Sequence, residues 1–200
     1  MPTAPPIERT STPTVTANPG RAVPLNPGPT PTSGQNQAAT LPQPLHLKYP
    51  RLGIDTSLTI AYEVPTACPA SDPQAKGKTC TTWTTDPLLA AWHEHSAPAG
   101  YRANLVINGH NWGPNWKLYN HPTPGVFANL DQAKVGDDVF VRNDNDKNYH
   151  YQVRNITDVV PDDTRLYTLI TGDARLTLVT CDDRGKARHL TIAILVGEVK

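Results

Sequence analysis

The 200-residue chain has no surplus of charge of either sign: Lys plus Arg and Asp plus Glu each number 18, so the formal net charge is zero. Without a basic or acidic excess, no global attraction to nucleic acid or to an anionic membrane is expected, and partners must be recognised locally. Long hydrophobic runs are also missing. The longest is a short stretch ending at Val196, whereas a bilayer span needs roughly 18 or more nearly continuous apolar residues, so no transmembrane helix is expected. The first residues lack the basic, apolar and small-residue succession of a secretory signal. The chain is therefore expected either to be cytoplasmic or to have had its targeting segment removed. There is no internal repeat, and the length suits one domain with a core rather than two.

Cysteine is scarce, with three residues and no CxxC pair, which argues against a zinc site. Cys68 and Cys80 bracket a polar insertion, CPASDPQAKGKTC, and read as a pair, whereas Cys181 ends an apolar run and reads as free. A disulfide closing so short a loop would contribute on the order of 2 to 3 kcal/mol and would indicate an oxidising, extracytoplasmic location. The plainer alternative is two unpaired thiols in a surface loop.

Proline is plentiful but uneven. Most of the first 45 residues are Pro, Thr, Ala, Gly, Asn and Ser, too poor in apolar surface to offset the entropy of ordering. Residues 1–48 are read as an extended or disordered Pro/Thr-rich tail and 49–200 as the folded domain. The alternation of Leu52, Ile54, Leu58, Ile60 and Tyr62 around Asp-Thr-Ser predicts an opening hairpin. DPLLAAWHEHS, residues 86 to 96, predicts a short helix with Asp86 as its cap and Pro87 in its first position. Strands are predicted at 105–107, at 139–141, in YHYQVRNITDVV, in LTLVTC and in HLTIAILVGEV. Six or more strands with one short helix describe an all-β barrel or sandwich; a parallel α/β sheet would require helical crossovers for which there is no room.

Cys181 stands where the strand LTLVTC stops, with Arg184 and Arg188 across the following turn. Thiols are strong nucleophiles once a base or cation is close. Of seven histidines, His110 ends a strand in VINGH and is the preferred partner, with His189 as its rival. His46, His93, His95, His121 and His150 lack that strand–glycine–imidazole layout. An arginine could donate to an oxyanion. Arg188 opens the last strand, so its backbone should be better fixed than that of Arg184 in the turn. Strand alternation puts Arg188 on one face with Leu190 and Ile192, and His189 on the other.

The stretches VINGH, GVFANLDQAKVGDDVFV and LTLVTCDD…ARHLTIAILVGEV resemble the sortases, cysteine transpeptidases of Gram-positive-type cell surfaces, from about Tyr49 to Lys200. The most specific element is Thr177-Leu178-Val179-Thr180-Cys181, with a Gly-His upstream and an arginine entering the next strand. The resemblance implies an eight-stranded β-barrel with one or two short helices. It makes Cys181 the nucleophile, His110 the imidazole and Arg188 the arginine, with Thr180 lining the substrate groove. Trp112, in the unusual HNWGPNW loop, is assigned to substrate binding as well. Further implications are LPxTG-type sorting-signal peptides as substrates, a cell-wall precursor or protein amine as acceptor, and an extracytoplasmic site at the cell surface. Any membrane attachment would run through an anchor outside this chain. No cofactor and no metal are expected, since SAPAGYRAN before the histidine carries no acidic residue. Two other readings are a papain-like peptidase, which chain order opposes because those enzymes place Cys before His, and a secreted β-barrel binding module with an inert thiol. Leu41-Pro42-Gln43-Pro44 echoes the start of a sorting signal, although composition favours a spacer.

Overall fold

The computed structural model describes residues 41–67, 79–112, 117, 123–160, 172–181 and 187–200. Along them run β1 (Pro44–Tyr49), β2 (Ile54–Ala61), β3 (Glu63–Ala67), β4 (Thr79–Trp83), β5 (Ala90–His93), β6 (Asn104–Asn108), β7 (Asp138–Asn143), β8 (Asn148–Val159), β9 (Arg175–Cys181) and β10 (Arg188–Val199). Eight of these close a barrel in the order β1-β2-β5-β6-β9-β10-β8-β7, and β3 and β4 form a separate two-stranded ribbon. Helical structure in the described elements is confined to three-residue 3-10 turns at Pro50–Leu52 and Leu130–Gln132.

Alternation explains the two sides of the wall. On β6, Leu105 and Ile107 join the interior with Leu47, Tyr49, Phe127, Leu176 and Leu178, and each large side chain so buried stabilises by roughly 1.5 to 3 kcal/mol. The intervening Val106 instead packs with Val179, Leu190 and Ile192 in a smaller cluster, which alternation assigns to the outer face.

Three local expectations are corrected. First, β1 begins at Pro44, ahead of the boundary placed at residue 49, with Leu47 and Tyr49 fully buried; flanking prolines had made it look like tail. Second, β2 runs unbroken through Asp55-Thr56-Ser57. The hairpin closes earlier, at Gly53, whose φ of 67° lets its N–H return to the Pro50 carbonyl. Third, 86–96 is not a helix. Asp86 Oδ1 does accept from the N–H groups of Leu88 and Leu89, at 2.7 and 2.8 Å, but that cap closes only a turn before β5. All four β5 residues are buried, and a short run covered on both faces has no periodicity to separate strand from helix. The barrel is mixed: two neighbouring pairs, β2–β5 and β6–β9, are parallel. Among the described residues, the first crossover contains the β3–β4 ribbon, and the second contains the 3-10 turn at Leu130–Gln132 and the β7–β8 hairpin.

The two ends of the barrel differ. The β8–β10 ladder runs from Val159–Arg188 at one end to Asn148–Val199 at the other, and Cys181 pairs with Arg188. Pro44 pairs with Asn143 beside the turn into β8. The chain thus enters β1 at the end away from the thiol, on a strand four places round the barrel from β9. Gln43 is tied there through its carbonyl to the Asp144 N–H at 2.8 Å, so the Leu41–Pro44 echo of a sorting signal does not lie at Cys181.

Candidate active site

Cys181 is the last residue of β9 and Arg188 the first of β10, and the antiparallel register sets them directly opposite. Directly opposed residues project from the same face, and Arg188 Nη1 donates to Cys181 Sγ. Cys181 is a free thiol. His189 projects the other way, where Nδ1 meets Asp158 Oδ1 at 2.8 Å. Arg184 lies outside the described residues.

His110 comes to the same cavity as the thiol because β6 runs parallel to β9, with Asn108 beside Val179. Beyond the ladder the two chains stay fastened. Gly109 N–H donates to the Val179 carbonyl at 3.1 Å, Thr180 Oγ1 donates to the Gly109 carbonyl at 2.8 Å, and Asn111 Nδ2 donates to the Cys181 carbonyl at 3.0 Å. Thr180 lines the pocket, but its hydroxyl is committed to this scaffold. Glycine at 109 is required by close approach, since a Cβ there would lie 2.7 Å from Val126 Cγ1 and 2.8 Å from Phe127 Cδ2. Trp112 stacks on the His110 ring, centroids 4.3 Å apart. Thr85 Oγ1 hydrogen-bonds His110 Nε2 at 2.9 Å.

Cys181, His110 and Arg188 together line a cavity of about 190 Å³, to which Thr85, Gly109 and Thr180 also contribute. Three of its walls had no signature in the sequence. Trp83, at the end of the ribbon, stacks on His93 of β5 with centroids 4.0 Å apart. Burial holds the His93 imidazole down at about 4, so it is neutral at physiological pH. Asn108 completes the wall, with Oδ1 buried and without a hydrogen-bond partner among the described residues. Tryptophan and asparagine have no spacing rule that announces them, and His93 looked like one histidine among seven. A wider cavity, about 440 Å³, lies among Leu52, Ile54, Leu88, Leu89 and Val126, and neither cysteine nor histidine lines it.

Of the remaining histidines, His46 pairs with Asp55 at 2.9 Å, His150 with Asp138 at 2.7 Å and His95 with Glu94 at 3.6 Å. His121 lies outside the described residues. Cys80 falls on β4 opposite Thr66, while Cys68 is outside the described residues, so their pairing is outside them too. Among the described residues no group of three or more His, Cys, Asp or Glu side chains could hold a metal ion. No described helix is long and apolar enough to cross a membrane.

A thiol flanked by a guanidinium and an imidazole at one cavity is equipped for acyl transfer: a nucleophile, a planar donor that can follow negative charge from sulfur to a carbonyl oxygen, and a proton carrier. The comparisons agree with that chemistry. The family model described as the sortase domain matches residues 60–196. Among solved structures, the chain is similar to a sortase D5 transpeptidase of Clostridium perfringens (22% identity, 78% of this chain and 79% of that one, TM-score 0.53). It is likewise similar to sortase C1 of Streptococcus agalactiae (25%, 76% and 66%, 0.53) and to a lid mutant of sortase A from Corynebacterium diphtheriae (21%, 80% and 74%, 0.57). No curated protein sequence matches the chain at a significant level. The extent of the family match, over a barrel of the same kind, makes the protein a member of the sortase family and a cysteine transpeptidase.

Proposed function

We propose that Cys181, His110 and Arg188 carry the transpeptidation and that the substrate is an LPxTG-type sorting signal. Cys181 Sγ attacks the carbonyl carbon of the threonine-like residue as its proton passes to His110. Arg188 donates to the oxyanion of the tetrahedral intermediate. His110 returns the proton to the departing amine, the C–N bond breaks, and a thioester remains on Cys181. The amine of a cell-wall precursor or of a second protein then attacks the thioester, His110 takes up its proton, and the C–S bond breaks. The observation that carries this reading is the Arg188 Nη1 contact with Cys181 Sγ. A guanidinium already bonded to the thiol supports the reading of Arg188 as the oxyanion donor.

Trp112 stacks on the His110 ring, which supports its assignment to substrate binding beside the imidazole. Sortases act outside the cytoplasm, and we assign this one to the cell surface, with residues 1–40 as a spacer. In that setting Cys68 and Cys80 form a disulfide. Thiol titration under denaturing conditions should count one thiol before reduction and three after; three before reduction would refute the pairing.

Intact mass after incubation with an LPxTG-type peptide tests the central reading. The wild-type protein should gain an acyl group that hydroxylamine removes, and Cys181→Ala should gain none. An adduct on the alanine variant, or none on the wild type with any LPxTG-type peptide, would overturn the assignment of nucleophile or signal respectively.

A further inference from the structure

We infer that Thr85 is a positioning residue for the His110 imidazole, and that the β3–β4 ribbon, which the family resemblance does not explain, is the support that presents it. The inference rests on the reading of His110 as the proton carrier.

An imidazole that must accept a proton and later return it works best in one orientation and one tautomer, and a third group bonded to its other nitrogen usually fixes both. Here the Thr85 hydroxyl meets Nε2 at 2.9 Å, while Trp112 stacks on the ring plane. Ring tilt and ring rotation are thus restrained by different residues.

Thr85 is itself held. Its predecessor Thr84 is locked to the start of β3, with Tyr62 N–H donating to Thr84 Oγ1 at 2.8 Å and Thr84 N–H donating to the Tyr62 carbonyl at 2.9 Å. Its successor Asp86 closes the next turn by accepting from the Leu88 and Leu89 N–H groups. Two residues back, Trp83 is stacked against His93 of the barrel wall. Thr85 therefore stands between two fixed points with little freedom to follow the ring elsewhere. A hydroxyl on a loosely held loop would lose more entropy in keeping this bond than the bond returns.

The test compares Thr85→Val, which keeps the shape and removes the hydroxyl, with Thr85→Ser, which keeps the hydroxyl. Turnover of an LPxTG-type peptide should fall roughly 10-fold or more in kcat with KM little changed for the valine variant, and serine should restore most of it. Thr85→Ala serves as a second removal with the same expected loss should valine disturb the fold, checked by the thermal midpoint. Equal kcat in wild type and valine, or a serine variant as slow as valine, would overturn the inference. A substrate-free arm separates it from the parent reading: ¹⁵N spectra of the imidazoles should show the His110 tautomer balance changed by valine and preserved by serine. An unchanged His110 signal refutes the role of Thr85 even if the peptide is the wrong one. A changed signal in a protein that forms no acyl adduct sustains the hydrogen-bond role and indicts the proposed substrate.

Discussion

At Gly125 there is room for a hydrogen and no more: a Cβ would lie 2.2 Å from the His110 carbonyl oxygen and 2.9 Å from the Trp112 nitrogen. Phe127 N–H also donates to that carbonyl at 3.0 Å, so this segment sets the backbone height of the imidazole. Gly125→Ala must push His110 and Trp112 outward, and it is expected to cost about 1 to 3 kcal/mol in stability and to slow acyl-enzyme formation. Gly197→Ala, where a Cβ would meet nothing within 4 Å, should leave acyl-enzyme formation unchanged; denaturant melts and acylation rates of the two variants check both points. Arg188→Lys keeps the charge but loses the planar fork, and steady-state turnover should fall ~10²-fold. His189→Ala, on the opposite face, should be mild. The facing of Arg188 and His189 was legible because strand alternation is a strict period of two. Thr85, Trp83 and Asn108 were not, because they come to the cavity of Cys181 and His110 only through the pairing of distant segments, which one sequence does not display.

Among the elements, Asp137 braces three at once. Tyr49 at the end of β1 donates to its Oδ2 at 2.6 Å, Arg51 of the 3-10 turn to Oδ1 at 2.6 Å, and the Lys134 N–H to Oδ2 at 2.7 Å. Arg51 also reaches the Gln132 carbonyl. Burial alone would raise the Asp137 carboxyl, but these donors outweigh it and hold it below the usual carboxylate range, while burial and the same carboxylate push the Tyr49 hydroxyl up. Asp137→Asn keeps the shape and removes the charge, so the Arg51 and Tyr49 bonds weaken; the thermal midpoint should fall by several degrees. The strands β6 to β10 were readable from apolar runs or apolar alternation bounded by turn residues. The β5 strand was not, because Asp86 and Pro87 imitate a helix start in front of a run that is buried on every side. Nor was β1, whose short apolar pattern is enclosed by the prolines at 42, 44 and 50.

For the whole molecule, acid is the expected weakness. His93 is neutral in the fold down to about pH 4, whereas in the unfolded chain it takes a proton near pH ~6.5. The unfolded state therefore binds more protons between those values, and stability falls as pH drops through that window, by up to about 3 kcal/mol. Asp137 acts in the same direction, since a carboxyl depressed in the fold loses its contribution as pH falls through its folded value. Denaturant midpoints from pH 8 to pH 4 should decline, with His93→Gln removing much of the part above pH 4. The placing of β1 has a mechanical consequence as well. A protein caught on Cys181 and a pull arriving through Pro44 would grip the barrel at opposite ends, so tension would run along β1. That strand is bonded on one edge to β2 and on the other to β7, and its hydrogen bonds lie across the line of force. They would be loaded together in shear, on both edges, rather than peeled open one after another, which is the geometry that lets a short strand hold a cargo under drag.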